Sequence, residues 1–269
     1  MPSVEYVHWN PVRRPAGRRF GRARPVDNFG DLLGPVVVRR MLERAAVPEG
    51  SAVRDARLLT VGSVLRLARA GDVVWGTGVN GKSLDAAYDL DDLDVRAVRG
   101  PRTQAFLAGR GVDVPAVHGD PGLLVGRLWT REELRGDEPT RPVTITPNLH
   151  DSHLYRRDPR ALDPQSGLAR CVRLIAASEL VVGSSLHGIV IAESLGIPAR
   201  LVQPGVEPLF KYADHYEGTG RPGWRAAPDV GAAIRMGGEE PVRWDPQPLL
   251  DAFPWDLWGR AGAPLVGAR

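Results

Sequence analysis

His187 stands in the stretch Leu180-Val181-Val182-Gly183-Ser184-Ser185-Leu186-His187-Gly188-Ile189, where an apolar strand meets a turn of small residues and a second apolar run begins. That second run, Ile189 to Leu195, has helical spacing and stops at Gly196 and Pro198, as a helix end would. A histidine at such a strand-to-helix turn lies outside the carboxyl end of a strand, which is where α/β sheets bind their ligands. The backbone N–H groups of a helix start, with the hydroxyls of Ser184 and Ser185 beside them, suit a phosphate or a carboxylate. The chemistry this predicts is an anionic ligand next to a titratable side chain.

Other polar clusters also follow apolar runs. Asn28-Phe29-Gly30-Asp31 puts an amide and a carboxylate at a helix start, either as a site or as a helix cap. Gly76-Thr77-Gly78 would let a ligand approach the backbone, but it lacks the third glycine of a dinucleotide fingerprint, and a tight turn explains it equally. Arg99 and Arg102 flank a Gly-Pro pair and carry guanidinium forks fitted to phosphate and carboxylate. His118-Gly119-Asp120-Pro121-Gly122 reads as a turn whose Asp120 caps a helix. Asn148 and His150 precede Asp151, Ser152 and His153, two histidines three apart without a third ligand, so no metal site is expected. Lys211, with Tyr212, Asp214 and His215, follows a strand and a Pro/Gly turn; it is an anion contact or a solvated loop residue.

These residues need a scaffold that brings strand ends together. Strands are expected at Val4–Trp9, Arg57–Val61, Val73–Trp75, Val95–Val98, a short run to Val117, Val143–Thr146, Leu180–Val182 and Arg200–Val202. Helices are expected from Asn28 through Leu42, Thr103–Gly109, Ser166–Ala177 and Ile189–Leu195. Such alternation indicates a parallel sheet with covered faces. Leu128 to Arg141, charged and holding Gly136 and Pro139, reads as a linker. The expected architecture is α/β, with two Rossmann-like domains facing a cleft, 1–135 and 140–269. An amphipathic tail helix with Leu249, Leu250, Phe253, Trp255 and Trp258 would pack back on the body; a single doubly wound sheet is the alternative.

The 269 residues suffice for a substantial core, and 43% hydrophobic with 25% charged residues is ordinary for a soluble globular protein. No apolar run approaches the ~20 residues that span a bilayer, and no signal-peptide core is visible. Cys171 is the single cysteine, which excludes an internal disulfide and favours a reducing, cytoplasmic setting. The formal charge of +3 rests almost wholly on arginine, since Lys82 and Lys211 are the only lysines. Nucleic acid is not the expected partner, because arginine with abundant Ala, Gly, Pro and Val reflects a GC-rich genome better than a basic binding face. The uneven stretch is Arg13 to Arg24, six arginines in a Pro/Gly-rich loop, read either as solvated or as a docking loop for an anionic acceptor.

Taken in order, Asn28–Pro35 (NFGDLLGP), Val73–Gly78 (VVWGTG), Val98–Thr103 (VRGPRT), Gly119–Leu124 (GDPGLL), Ile145–His150 (ITPNLH) and Gly183–Pro198 (GSSLHGIVIAESLGIP) resemble the polysaccharide pyruvyltransferase family. The resemblance implies a two-domain, glycosyltransferase-B-like fold with its active site in the interdomain cleft. It also implies transfer of a pyruvyl group from phosphoenolpyruvate to a sugar, with ketal formation and phosphate release. The acceptor is a cell-surface polysaccharide or its lipid-linked precursor, and no metal or organic cofactor is implied, phosphoenolpyruvate being a co-substrate. Work at the inner face of the membrane without integral insertion would follow. By the same resemblance His187 acts in proton transfer and Asp31 lies near the acceptor. Arg99 and Lys211 hold the donor, and Arg102, Ser184, Ser185 or the helix N-terminus share that load. Asn28, Gly76, Gly78, Asn148 and His150 are acceptor-binding or structural. One departure stands out: many members carry arginine immediately before the Leu-His pair, where this chain has Ser185. The competing readings are a nucleotide-sugar-dependent glycosyltransferase and a non-catalytic glycan- or anion-binding relative.

Overall fold

The computed structural model describes residues 1–14 and 22–262. Among the described residues nine strands fall in the order β1 (Val4–Val7), β2 (Val12–Arg13), β3 (Arg24–Pro25), β4 (Ala56–Leu59), β5 (Val73–Trp75), β6 (Asp94–Ala97), β7 (Arg141–Ile145), β8 (Ser178–Gly183) and β9 (Ala199–Leu201). β1-β4-β5-β6 form one sheet and β7-β8-β9 a second, with every pairing in both parallel. β2 and β3 pair antiparallel, so Arg13 faces Arg24 across a short ribbon; the middle of the arginine-rich stretch, 15–21, lies outside the described residues.

The strands are short apolar runs because helices cover both sheet faces; all three residues of β5 are buried, and so are the last three of β8. Val73–Trp75 forms as the sequence predicts, and the other expected strands form within a few residues of their expected ends. The short run to Val117 is the difference: it yields only an isolated parallel bridge between Val98 and His118.

The first expected helix starts later, at Leu33 and runs to Arg44, because Asn28–Leu32 turns tightly first. The second starts earlier, Pro101–Ala108, with proline at its first position, where its missing N–H costs nothing. The stretch expected to be a linker carries a short helix, Arg131–Arg135. Thr130 and Glu133 close a capping box on it, and Arg131 ties it to the carbonyls of Ala176 and Ser178. The tail is not one helix: Pro254 separates a turn of helix, Gln247–Asp251, from a 3₁₀ turn, Trp255–Trp258.

The Leu186–Ser194 helix is buried from Leu186 through Ala192, the signature of a helix enclosed on all sides. It packs between the half of the chain that carries β1-β4-β5-β6 and the half that carries β7-β8-β9. A Cβ on Gly122 would come 2.9 Å from Val190, and one on Gly126 would overlap the carbonyl of Ser194. One apolar cluster runs from Phe29, Met41 and Trp75 through Leu124 to Ile189, Ile191 and Leu201, and on to Leu249 and Trp255. Smaller clusters cover the outer faces, Leu59, Val74 and Leu107 on one sheet and Ile145, Val182 and Ala233 on the other.

Candidate active site

A cleft of about 420 Å³ is lined by residues that follow strands of both sheets. From the first half it is lined by Asn28 and Asp31, by Ser63, Val64, Arg66 and Leu67, and by Asn80, Lys82 and Ser83, with Trp9 at its side. The second half contributes Asn148, Leu149, His150, Ser185, Leu186, His187, Glu207 and Lys211.

His187 is nine-tenths buried and sits at the first turn of its helix, packed against the opposite half. A Cβ at Gly30 would lie 2.8 Å from its Cγ and overlap Nδ1, so the glycine of the Asn28–Asp31 turn is the seat for the imidazole. The amide of Asn28 donates to the Asp31 carboxylate at 2.6 Å. Burial raises the pKa of Asp31 above the ordinary carboxylate value, with Asn28 and His187 opposing. Burial lowers that of His187, with Asp120 and then Asp31 pulling it back. Asp120 is the acid that the sequence placed only in a turn. One of its oxygens accepts from the Gly122 N–H at 2.8 Å, and the other faces His187 Nε2 at 3.7 Å.

The second charged group is a bridge across the cleft. Glu207, from the second half, accepts from Lys82 of the first half and from Lys211 at 2.8 Å, with His150 Nε2 3.5 Å away. Both lysines of the chain thus meet on one acid. Burial disfavours the Glu207 carboxylate, but Lys211 and Lys82 outweigh it and hold its pKa below the ordinary value. Burial lowers the pKa of Lys211, and Glu207 opposes that.

Asp31, Asn28, His187, Ser185, Lys211, Asn148 and His150 therefore share one cleft. Ser185 is the helix N-cap, its hydroxyl accepting from Gly188 N–H at 3.3 Å. Asn148 accepts from the N–H groups of His150 and Asp151, which shapes the rim. The other expected residues lie apart. Arg99 is fully buried and spends its guanidinium on Asp214 at 3.0 Å, Ser63 at 2.8 Å and the Val79 carbonyl at 2.9 Å. Arg102 pairs with Glu217 outside the cleft. Ser184 donates to Asp151 at 2.6 Å beneath the floor. Gly76 makes room for Pro121 and Gly78 for the Arg99 guanidinium.

Lys82, Glu207 and the inward oxygen of Asp120 join the site without being expected from the sequence. The rarity of lysine was the available signal for the first. For Glu207 the signal was its spacing of four from Lys211, while its other partner, Lys82, is 125 residues away.

Two parallel α/β sheets with a histidine, acids and lysines in the cleft at their strand ends define an α/β protein with an enzyme-like site. Residues 50–204 match the family described as Polysaccharide pyruvyl transferase, and the chain belongs to that family. It is 27% identical to the Succinoglycan biosynthesis protein ExoV of Rhizobium meliloti over 156 residues, 54% of this chain and 47% of that protein. It is 30% identical to an uncharacterized protein of Acanthamoeba polyphaga mimivirus over 156 residues, 53% of this chain and 52% of the relative. The chain spans about half the length of the curated relatives it matches. No helix among the described residues is long and apolar enough to cross a membrane.

Proposed function

We propose that this chain moves a pyruvyl group from phosphoenolpyruvate to a sugar of a cell-surface polysaccharide or its lipid-linked precursor, closing a ketal and releasing phosphate. The observation that carries the reading is His187, seated on Gly30 between Asp31 and Asp120 and sharing its cleft with the Lys82–Glu207–Lys211 bridge. The family membership and the succinoglycan relative support a role in polysaccharide synthesis. The two sheets facing across a cleft support a glycosyltransferase-B-like arrangement.

In this reading Lys82 and Lys211 hold the donor's phosphate and carboxylate as fixed cations. With Ser185 in place of the arginine common in the family, and Arg99 committed to Asp214, the load falls on these two, with Arg66 also lining the cleft. His187 delivers a proton to C3 of the enol, turning the methylene into a methyl and C2 into an oxocarbenium-like centre. One sugar hydroxyl, beside Asp31, adds to C2 and returns a proton to the site. Phosphate then departs, the second hydroxyl closes the ketal, and its proton leaves with the phosphate. No metal or organic cofactor enters these steps.

The test is phosphate release from phosphoenolpyruvate in the presence of oligosaccharides and lipid-linked sugars with two free hydroxyls. His187→Ala should lower turnover by about 10²–10⁴-fold while donor binding persists. A thermal-shift comparison adds a second arm, because a ligand selective for the native state raises its apparent stability. Stabilisation by nucleotide sugars and none by phosphoenolpyruvate would overturn the reading.

A further inference from the structure

Asp120 is 0% exposed, and its two oxygens have different fates. One accepts the Gly122 N–H and completes the turn; the other, Oδ2, is buried with no hydrogen-bond partner. His187 Nε2 is buried and unpartnered as well, and the two atoms face each other at 3.7 Å. Leaving either group unpaired is costly, and buried polar atoms in native structures are nearly always paired. At 3.7 Å the contact is too long for an N–H···O bond, but catalytic hydrogen bonds in unliganded sites are commonly long and tighten with substrate.

We propose that Asp120 is the positioning residue of His187. It holds one proton on Nε2 and fixes the ring plane, so that Nδ1, over Gly30, is the nitrogen that gains the second proton of the imidazolium and passes it to substrate. The proposal rests on the reading of His187 as the proton-transfer group. The charged groups around the imidazole are Asp120 from its turn, Asp31 from the opposite turn, Lys211 from its helix and the more remote Arg99. The two acids favour the imidazolium, and the two cations and burial oppose it.

Asp120→Asn separates the two jobs of this side chain. Its amide oxygen can still accept from Gly122, but its NH₂ now faces Nε2 and drives the ring proton to Nδ1. Turnover should fall about 100-fold with little change in KM for phosphoenolpyruvate. The limb of the pH–rate profile set by His187 should move to lower pH, because a carboxylate that stabilises the imidazolium is gone. The ¹⁵N spectra of the ring nitrogens, with His187 assigned from His187→Gln, read the tautomer in the resting protein. Wild type should carry the proton on Nε2 and Asp120→Asn on Nδ1. Wild type with the proton on Nδ1, or the same tautomer and pH profile in both proteins, would overturn the proposal. The spectra judge it even if phosphoenolpyruvate proves not to be the donor, an outcome that wild-type phosphate release reports separately.

Discussion

Glu207 lies between the only two lysines of the chain and is itself nearly buried, so its charge governs theirs. Burial pulls the Lys211 pKa down from its ordinary 10.5, and the adjacent carboxylate pulls it back. A donor held by Lys211 needs that ammonium charged, so the neighbouring acid sustains anion binding. In Glu207→Gln the opposing influence is lost, and Lys211 gives up its proton at lower pH than in wild type. KM for phosphoenolpyruvate should therefore begin to rise at a lower pH in the variant, while kcat at neutral pH changes less. Initial-rate kinetics across pH 6 to 10, a range of about four units chosen to bracket a lowered lysine, would check this. An unchanged KM profile would place Lys211 away from the donor. His187 obeys the same rule with the same outcome, since the acids on either side of it only partly offset its burial.

The elements succeed or fail as positioning devices at their ends. The Leu186–Ser194 helix presents His187 in its first turn, and the Asn28–Asp31 turn accepts the ring on Gly30. Gly30→Ala would drive a methyl group into Nδ1 and Cγ, so the ring must move off Asp120 or the two halves must separate. Turnover should drop by at least about tenfold, the factor that 1.4 kcal/mol represents, with a far smaller fall in donor affinity. A crystal structure of the variant should show a rotated His187; wild-type kinetics would show that the glycine seat is irrelevant. Much of this end-of-strand logic was legible in the chain. The run from Leu180 to Pro198 announced strand, turn and helix through its apolar periodicity, and Val73–Trp75 was readable to the residue. The capping box at Thr130–Glu133 was legible too, but the Gly and Pro around it made the stretch read as a linker. What periodicity cannot carry is the pairing of residues far apart in sequence. Arg99 read as an anion holder because its buried partner Asp214 is 115 residues away, and Asp120 read as a cap because only one of its oxygens is used locally.

Across the whole molecule the two sheets share one apolar core, and buried polar contacts tie them as well. Arg99 and Thr103 of the first half both bond Asp214 of the second, with Arg99 and Asp214 fully buried. The close approach depends on Gly100, whose Cβ would overlap the Asp214 carbonyl, and on Gly218, where a Cβ would lie 2.6 Å from the Arg99 carbonyl. The tail adds a second tie, with Trp75 Nε1 donating to Leu249 and its ring edge-on to Phe253 at a 4.9 Å centroid separation. Removing one partner of a buried ion pair leaves an uncompensated charge, and Arg99→Ala should cost about 3–5 kcal/mol of stability. The double variant Arg99→Met/Asp214→Leu removes both charges and fills part of the space but strips Thr103 of its acceptor, so it should recover only part of that loss. Denaturant titrations of the single and double variants measure both effects, and the donor KM of whatever remains folded measures a third. If Arg99 instead held the donor directly, Arg99→Ala would keep its unfolding midpoint and lose donor affinity. The double variant would then be no better than the single one. The three hydrogen bonds already made by the guanidinium argue for the first outcome: a donor anion could claim Arg99 only by breaking the Asp214 pair that joins the halves.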